Sequence, residues 1–208
     1  VGEDGATHQC IEDLSLMRTI PGMTVITPCD ANETREAVKA MIEYDGPCYL
    51  RTSRLATEDI TNKIEGYSFE LGKGSVLKEG KDVTIIACGV MVQKAYKAAK
   101  ALEEEGISAK VIDMHTIKPI DKELIIASAK ETGAIVTVEE HNVIGGLGSA
   151  VSEVIVANEL VPIEMVGVED TCGRSGPAEE LLDLYGLNIE NIVKKAKTAI
   201  ERKKKQIV

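Results

Sequence analysis

Basic residues are the scarcer sign in this chain of 208 residues: 24 Lys and Arg stand against 34 Asp and Glu, for a formal net charge of −10. That balance argues against nucleic acid or an anionic membrane surface as a partner. An anionic small substrate stays open, because a single local Arg overrides the global field. Long apolar runs are also missing, and none approaches the length that crosses a bilayer. No secretory signal pattern stands at the N-terminus. Paired cysteines are missing too. Cys10, Cys29, Cys48, Cys88 and Cys172 are odd in number, scattered and without a Cys-x-x-Cys. They predict small buried thiols in a reducing compartment in place of a disulfide framework or a zinc site. His8, His115 and His141 lie far apart with no nearby Cys pair, so no metal constellation stands out. No internal repeat or low-complexity tract appears. With 44% hydrophobic and 28% charged residues, the expectation is an ordinary globular protein of the cytoplasm.

What is present is an alternation of short β-branched runs with amphipathic stretches, which predicts a parallel-rich α/β fold. Ile11, Leu14, Met17 and Ile20 recur at helical spacing, and Pro21-Gly22 stops that helix. Residues 23–27 read as a buried strand. Asn32 reads as the cap of a helix carrying Ala37, Val38, Met41 and Ile42, and 48–52 as the next strand. Two strands and two helices are too few for a doubly wound domain, so residues 1–66 read as the second half of one plus a linker. The polar, irregular stretch 55–73 makes the connection. A fuller pattern fills 67–208, with strands at 83–88, 109–114, 135–139 and 163–168 and an edge strand near 69–77. Its helices are expected at 92–105, 121–129, 147–158, 178–185 and 188–202, with Gly106 as the residue that ends the first. The prediction is a partial α/β domain followed by a complete three-layer α/β/α domain with a mostly parallel sheet.

The densest chemistry is the run Gly2-Glu3-Asp4-Gly5-Ala6-Thr7-His8-Gln9. Glycines allow a tight turn and close approach to a ligand. Asp4 and His8 are able to bind sugar hydroxyls and move protons near neutral pH. The bland alternative is a turn steadied by Asx-type hydrogen bonds. Such a loop is expected after a strand in mid-domain, which reads as a chain lacking its upstream half. Arg54 lies just past a predicted strand, where α/β ligand sites sit, and its guanidinium suits a phosphate. Its bland alternative is a solvated strand-end charge.

The loop, with the helix after it and Arg18-Thr19-Ile20-Pro21-Gly22-Met23-Thr24-Val25, resembles transketolase. The resemblance continues through Pro28-Cys29-Asp30-Ala31-Asn32-Glu33-Thr34 and Leu50-Arg51-Thr52-Ser53-Arg54. Further on, Glu139-Glu140-His141-Asn142-Val143-Ile144-Gly145-Gly146-Leu147-Gly148 and Ser175-Gly176-Pro177-Ala178-Glu179-Glu180-Leu181 are similar to the family's C-terminal domain. Nearly end to end, the chain resembles the C-terminal subunit of a split transketolase. Residues 1–66 would then be the latter half of the pyrimidine-binding domain plus linker, and 67–208 the C-terminal domain.

The resemblance implies roles. Asp4 would hydrogen-bond a sugar hydroxyl, His8 would contact the hydroxyls beside the reacting carbon, and Arg54 would hold the phosphate of a sugar phosphate. Asp4 and His8 are thus the expected catalytic pair. The complete protein would transfer two-carbon ketol units between sugar phosphates with thiamine pyrophosphate and a divalent metal, magnesium or calcium. Cofactor and metal would belong to an N-terminal subunit or domain, leaving this chain inactive alone. A homodimer is expected, and no nucleic acid or membrane partner. The family's catalytic glutamate, a further substrate histidine and the aromatic wall of the pyrimidine site would lie upstream of Val1.

Glu3-Asp4-Gly5 with the distant Asn32 imitates a thiamine-enzyme metal motif, but Glu stands where that motif has Gly, and we reject it. Gly145-Gly146-Leu147-Gly148 lacks the Lys of a phosphate loop, so close helix–strand packing is expected there. Glu139, Glu140 and His141 read as interface or hydrogen-bonding residues, and the basic run from Arg202 to Lys205 as a solvated helix end. Alternative readings are 1-deoxyxylulose-5-phosphate synthase, which has a similar loop, and a dehydrogenase beta subunit, resembled by Val111 to Pro119. The non-enzyme alternative is a dimerisation module from Phe69 onward.

Overall fold

The computed structural model describes Glu3 and residues 5–206. Its helices are α1 (Asp13–Thr19), α2 (Ala31–Glu43), α3 (Met91–Glu104), α4 (Lys122–Thr132), α5 (Leu147–Asn158), α6 (Ala178–Leu184) and α7 (Ile189–Gln206). Its strands are β1 (Thr24–Ile26), β2 (Cys48–Leu50), β3 (Ser75–Lys78), β4 (Val83–Ala87), β5 (Ala109–Asp113), β6 (Thr116–Lys118), β7 (Ile135–Asn142) and β8 (Ile163–Val168). None of the described helices is long and apolar enough to cross a membrane. Pro21 ends α1 by forcing Ile20 into extended backbone (φ −73°, ψ 123°). At the end of α3, Gly106 takes φ +79° and lets its N–H and that of Ile107 close on the last turn, at 2.9 Å each.

The cap of α2 differs from expectation. Asp30, with extended backbone at φ −148° and ψ 177°, accepts from Glu33 N at 2.8 Å. The amide of Asn32 donates instead to Thr61 Oγ1 at 3.0 Å. The thiols also differ from expectation: Cys29 and Cys88 are buried, but Cys10 and Cys172 are exposed. The edge strand begins later than predicted, at Ser75, and 55–73 is irregular apart from a 3-10 turn at Thr61–Lys63.

The larger sheet has the order β3-β5-β4-β7-β8, parallel except for the antiparallel edge strand β3. Helices α3 and α7 cover one face, and α4 and α5 the other. Strand alternation sorts the core between them. Ile85, Val111, Val136 and Val138 pack with Ala95, Leu102, Ile192 and Ala196. Ile86, Ile112 and Ile135 pack with Ile125, Ala129, Val151 and Ile155. This is the three-layer domain with a mostly parallel sheet that the pattern predicted.

The smaller sheet has three strands in the order β2-β1-β6. β1 and β2 are parallel, and β6 joins antiparallel with Val25 opposite Lys118. β6 was absent from the predicted elements: at three residues it shows no period, and it borrows its pairing from a strand about 90 positions upstream. Lys118 Nζ also binds Arg18 O at 2.8 Å and Ile20 O at 2.6 Å, closing the C-terminus of α1. Leu14 and Val25 belong to the same buried cluster as Ile112 and Ile117. The two sheets therefore share a core.

Candidate active site

β2 and the loop after it deliver the side chains that matter. A parallel sheet leaves ligand sites at the carboxyl ends of its strands, and Arg51 to Arg54 follow β2 there. The 3-10 turn Ala6–His8 arrives at the same end, with His8 N bound to Gly5 O at 3.0 Å. Together they form a pocket of about 230 Å³ onto which His8, Cys10, Thr52 and Arg54 open. Thus two of the expected site residues, 46 positions apart, share one cavity. The third, Asp4, lies outside the described residues. Thr7 Oγ1 is 3.1 Å from His8 Nδ1, so Nε2 is the ring nitrogen left for a ligand.

The buried wall of this pocket was not legible as a site. Arg51 crosses it, its Nε donating to Asp13 Oδ2 at 2.9 Å and its Nη2 to the carbonyls of Cys10 and Glu140 at 3.0 Å. Its Nη1 lies 3.8 Å from Glu140 Oε2. Burial alone would lower the Arg51 pKa, but Asp13 and Glu140 outweigh it and hold the guanidinium above its ordinary value. Tyr49 OH donates to the same Asp13 oxygen at 2.8 Å. Burial, then that carboxylate, push the phenol up to about 12. One cation thus links α1, β2, the opening loop and the end of β7. The available signal was an Arg inside the strand expected over 48–52: a half-buried guanidinium needs a carboxylate, and Asp13 is a polar residue on the first turn of an otherwise apolar helix face.

Behind this wall, Glu139 is fully buried and accepts from Leu147 N at 2.6 Å and Gly148 N at 2.8 Å, at the start of α5. A carboxylate therefore occupies the helix N-terminus that a phosphate would need. The glycines allow this approach. A Cβ on Gly146 would meet Glu139 Oε2 at 2.0 Å, and one on Gly148 would meet Met165 Sδ at 2.9 Å. Close packing is indeed what the glycine run provides. Burial pushes the Glu139 carboxyl up to about 7, against the pull of the Gly148 and Leu147 N–H groups and of Arg51 and Arg18. His141 is buried beside it, with Nδ1 3.6 Å from Glu139 Oε2 and Nε2 accepting from Ser15 N at 3.4 Å. Burial holds its pKa below the ordinary value. Glu139 and His141 therefore brace α1 and α5 as hydrogen-bonding residues.

Comparison with known proteins gives independent evidence on the fold and its family. Residues 72–192 match the transketolase C-terminal domain, and residues 1–59 the transketolase pyrimidine-binding domain. The chain belongs to the transketolase family. It is 48% identical to a putative transketolase C-terminal section of Methanocaldococcus jannaschii over 99% of this chain and 64% of that protein. It is 46% identical to a 6-deoxy-6-sulfo-D-fructose transketolase subunit of a Clostridium species, over 96% of this chain and 62% of the relative. A solved split-gene transketolase, an inactive β4 tetramer, superposes with a TM-score of 0.88 at 49% identity. That match covers 95% of this chain and 64% of the other. The chain thus spans a little under two thirds of each of these transketolase relatives.

Proposed function

We propose that this chain supplies the sugar-phosphate site of a transketolase that moves two-carbon ketol units between sugar phosphates. In this reading residues 1–66 form the latter half of the pyrimidine-binding domain plus linker, and residues 67–208 form the C-terminal domain. The observation that carries it is the shared pocket of His8 and Arg54, backed by the Asp13–Arg51–Glu140 wall. The Arg54 guanidinium binds the substrate phosphate bidentately. His8 Nε2 takes or returns a proton at a substrate hydroxyl, as a neutral imidazole is able to do. Asp4 binds a neighbouring hydroxyl and selects its configuration.

Thiamine pyrophosphate, when bound in the complete enzyme, would supply the electron sink that ketol transfer needs. The described pocket does not fit a metal-bound pyrophosphate. Its carboxylates, Asp13 and Glu140, are already engaged by Arg51, whereas magnesium or calcium takes open oxygen ligands. Cofactor and metal are therefore assigned to an N-terminal transketolase subunit or domain, the partner this reading requires, in an assembly that pairs two copies of this chain. By itself the chain turns nothing over.

The test is a coupled ketol-transfer assay on the complete enzyme with cofactor and magnesium, over a panel of phosphorylated ketose donors and aldose acceptors. Transfer that collapses in His8→Ala is the expected result. Absence of transfer across the panel, with cofactor bound, overturns the reading.

A further inference from the structure

Asp113, the last residue of β5, is wholly buried, and among the described residues no N–H or O–H donor reaches either of its carboxylate oxygens, the weak Cys29 thiol alone lying against it. An ionised carboxylate in that state is the costliest form a buried polar group takes. Asp113 is therefore either neutral or matched by a cation. Its surroundings are acidic. One carboxylate oxygen each of Asp113 and Glu33, and Cys29 Sγ, lie within 4.8 Å of one another. Asp30 from the cap of α2 adds negative charge, and Tyr67 and Cys88 add neutral acids. Burial pushes both thiols, Cys29 and Cys88, upward, so they keep their protons. Neither nearby base answers Asp113: Arg51 is engaged by Asp13, and burial holds His115 below its ordinary pKa.

Glu33 is built to be the charged member. Its Oε2 accepts from Cys29 N at 2.7 Å, and its Oε1 from Tyr67 OH in a short hydrogen bond. A neutral Asp113 would give it a third donor, and would thereby stop being a buried charge itself.

We propose that Asp113 keeps a proton at neutral pH and shares it with Glu33, so that a single proton fastens α2 to the larger sheet. Burial, then the Glu33 charge, hold the Asp113 carboxyl well above the usual carboxylate range, in keeping with this geometry. The folded chain thus retains a proton that the unfolded chain releases above about pH 4. Stability owed to the pair falls as pH rises through that interval, and alkali, by removing the proton, sets two buried charges against each other across the junction. The inference rests on this buried pair alone, independently of the proposed reaction.

The test compares unfolding of the whole wild-type chain with Asp113→Asn between about pH 5 and pH 9. Asn keeps an N–H donor towards Glu33 but does not titrate. Relative to the variant, the wild type should lose about tenfold in its folding constant per pH unit, the slope of one proton. Infrared spectra at neutral pH, recorded in a Glu139→Gln background because Glu139 itself titrates near 7, should show a protonated-carboxyl band that adding Asp113→Asn removes. Asp113→Leu, offering neither donor nor charge, should share the variant's flat profile at a lower midpoint. Parallel pH profiles in wild type and both variants overturn the proposal. So does a carboxyl band that survives Asp113→Asn in the Glu139→Gln background, or one equivalent of metal that co-purifies with the wild type and is lost with Asp113.

Discussion

Arg51 concentrates more of the site's order than any residue that faces solvent. Its guanidinium answers a carboxylate on α1 and another at the end of β7, and two backbone carbonyls besides. Substituting Arg51→Met removes the cation and leaves Asp13 buried against Tyr49, which costs about 3–5 kcal/mol of folding stability. Chemical denaturation should show that loss, and Arg51→Met with Asp13→Leu should recover part of it, since no buried charge then stays unpaired. Glu139 makes a prediction of a different kind. Its carboxyl titrates near 7 in the folded chain because burial raises it, while an unfolded glutamate titrates near 4.3. Between those values the folded state holds the extra proton, so the group's contribution declines as pH rises and is level above about 7. Relative to Glu139→Gln at each pH, the wild type should lose on the order of 3 kcal/mol between about pH 4.5 and pH 7. A flat difference would show that Glu139 stays ionised throughout.

At the scale of elements, the junction between the two sheets depends on short pieces that carry little pattern. The cap of α2 shows how a sequence reading goes astray there. Asp30 and Asn32 are both good capping types, and only the fold reveals which has the extended backbone. Asp30 also holds Ile60 N at 2.9 Å and Thr61 N at 2.8 Å, tying the irregular connection to the helix start. Its carboxyl lies below the usual range because these N–H donors outweigh its burial. Asp30→Ala should therefore cost about 2–4 kcal/mol, beyond an ordinary cap, because three backbone N–H donors and the Thr61 hydroxyl lose their acceptor. Asn32→Ala loses one exchange with Thr61 and should cost less than about 1 kcal/mol. Equal losses in thermal unfolding would overturn the assignment of the cap. The long elements were legible because their periods are strong: β4, β5, β7 and β8 are β-branched runs, and α3, α5 and α7 carry apolar stripes. β6 was invisible, because its partner strand is supplied by tertiary structure.

For the molecule as a whole, the shared core of Leu14, Val25, Ile112 and Ile117 means that α1, which follows the opening loop, is packed against both sheets at once. The loop motif and Arg54 were readable because their chemistry is concentrated in a few residues. The wall behind them was not, because Asp13, Arg51 and Glu140 come from three distant segments, and nothing in the runs that carry Arg51 and Glu140 shows that these side chains meet Asp13. On the proposed reading, this arrangement separates binding from proton movement. Arg54 is exposed and lines the pocket, and in that reading it contributes charge to a phosphate without touching the reacting carbon. Arg54→Ala should therefore raise KM for a phosphorylated acceptor about tenfold to a hundredfold, the loss of a charge-assisted bond. With kcat nearly unchanged, that pattern marks uniform binding. An unphosphorylated sugar should be handled almost equally by wild type and variant. His8→Ala should instead lower kcat by about 10²–10⁴, the usual worth of a general acid or base, for both kinds of sugar. If Arg54→Ala impaired the phosphorylated and unphosphorylated sugars alike, the guanidinium would be a support of the loop, and the phosphate would have to be sought elsewhere in the pocket.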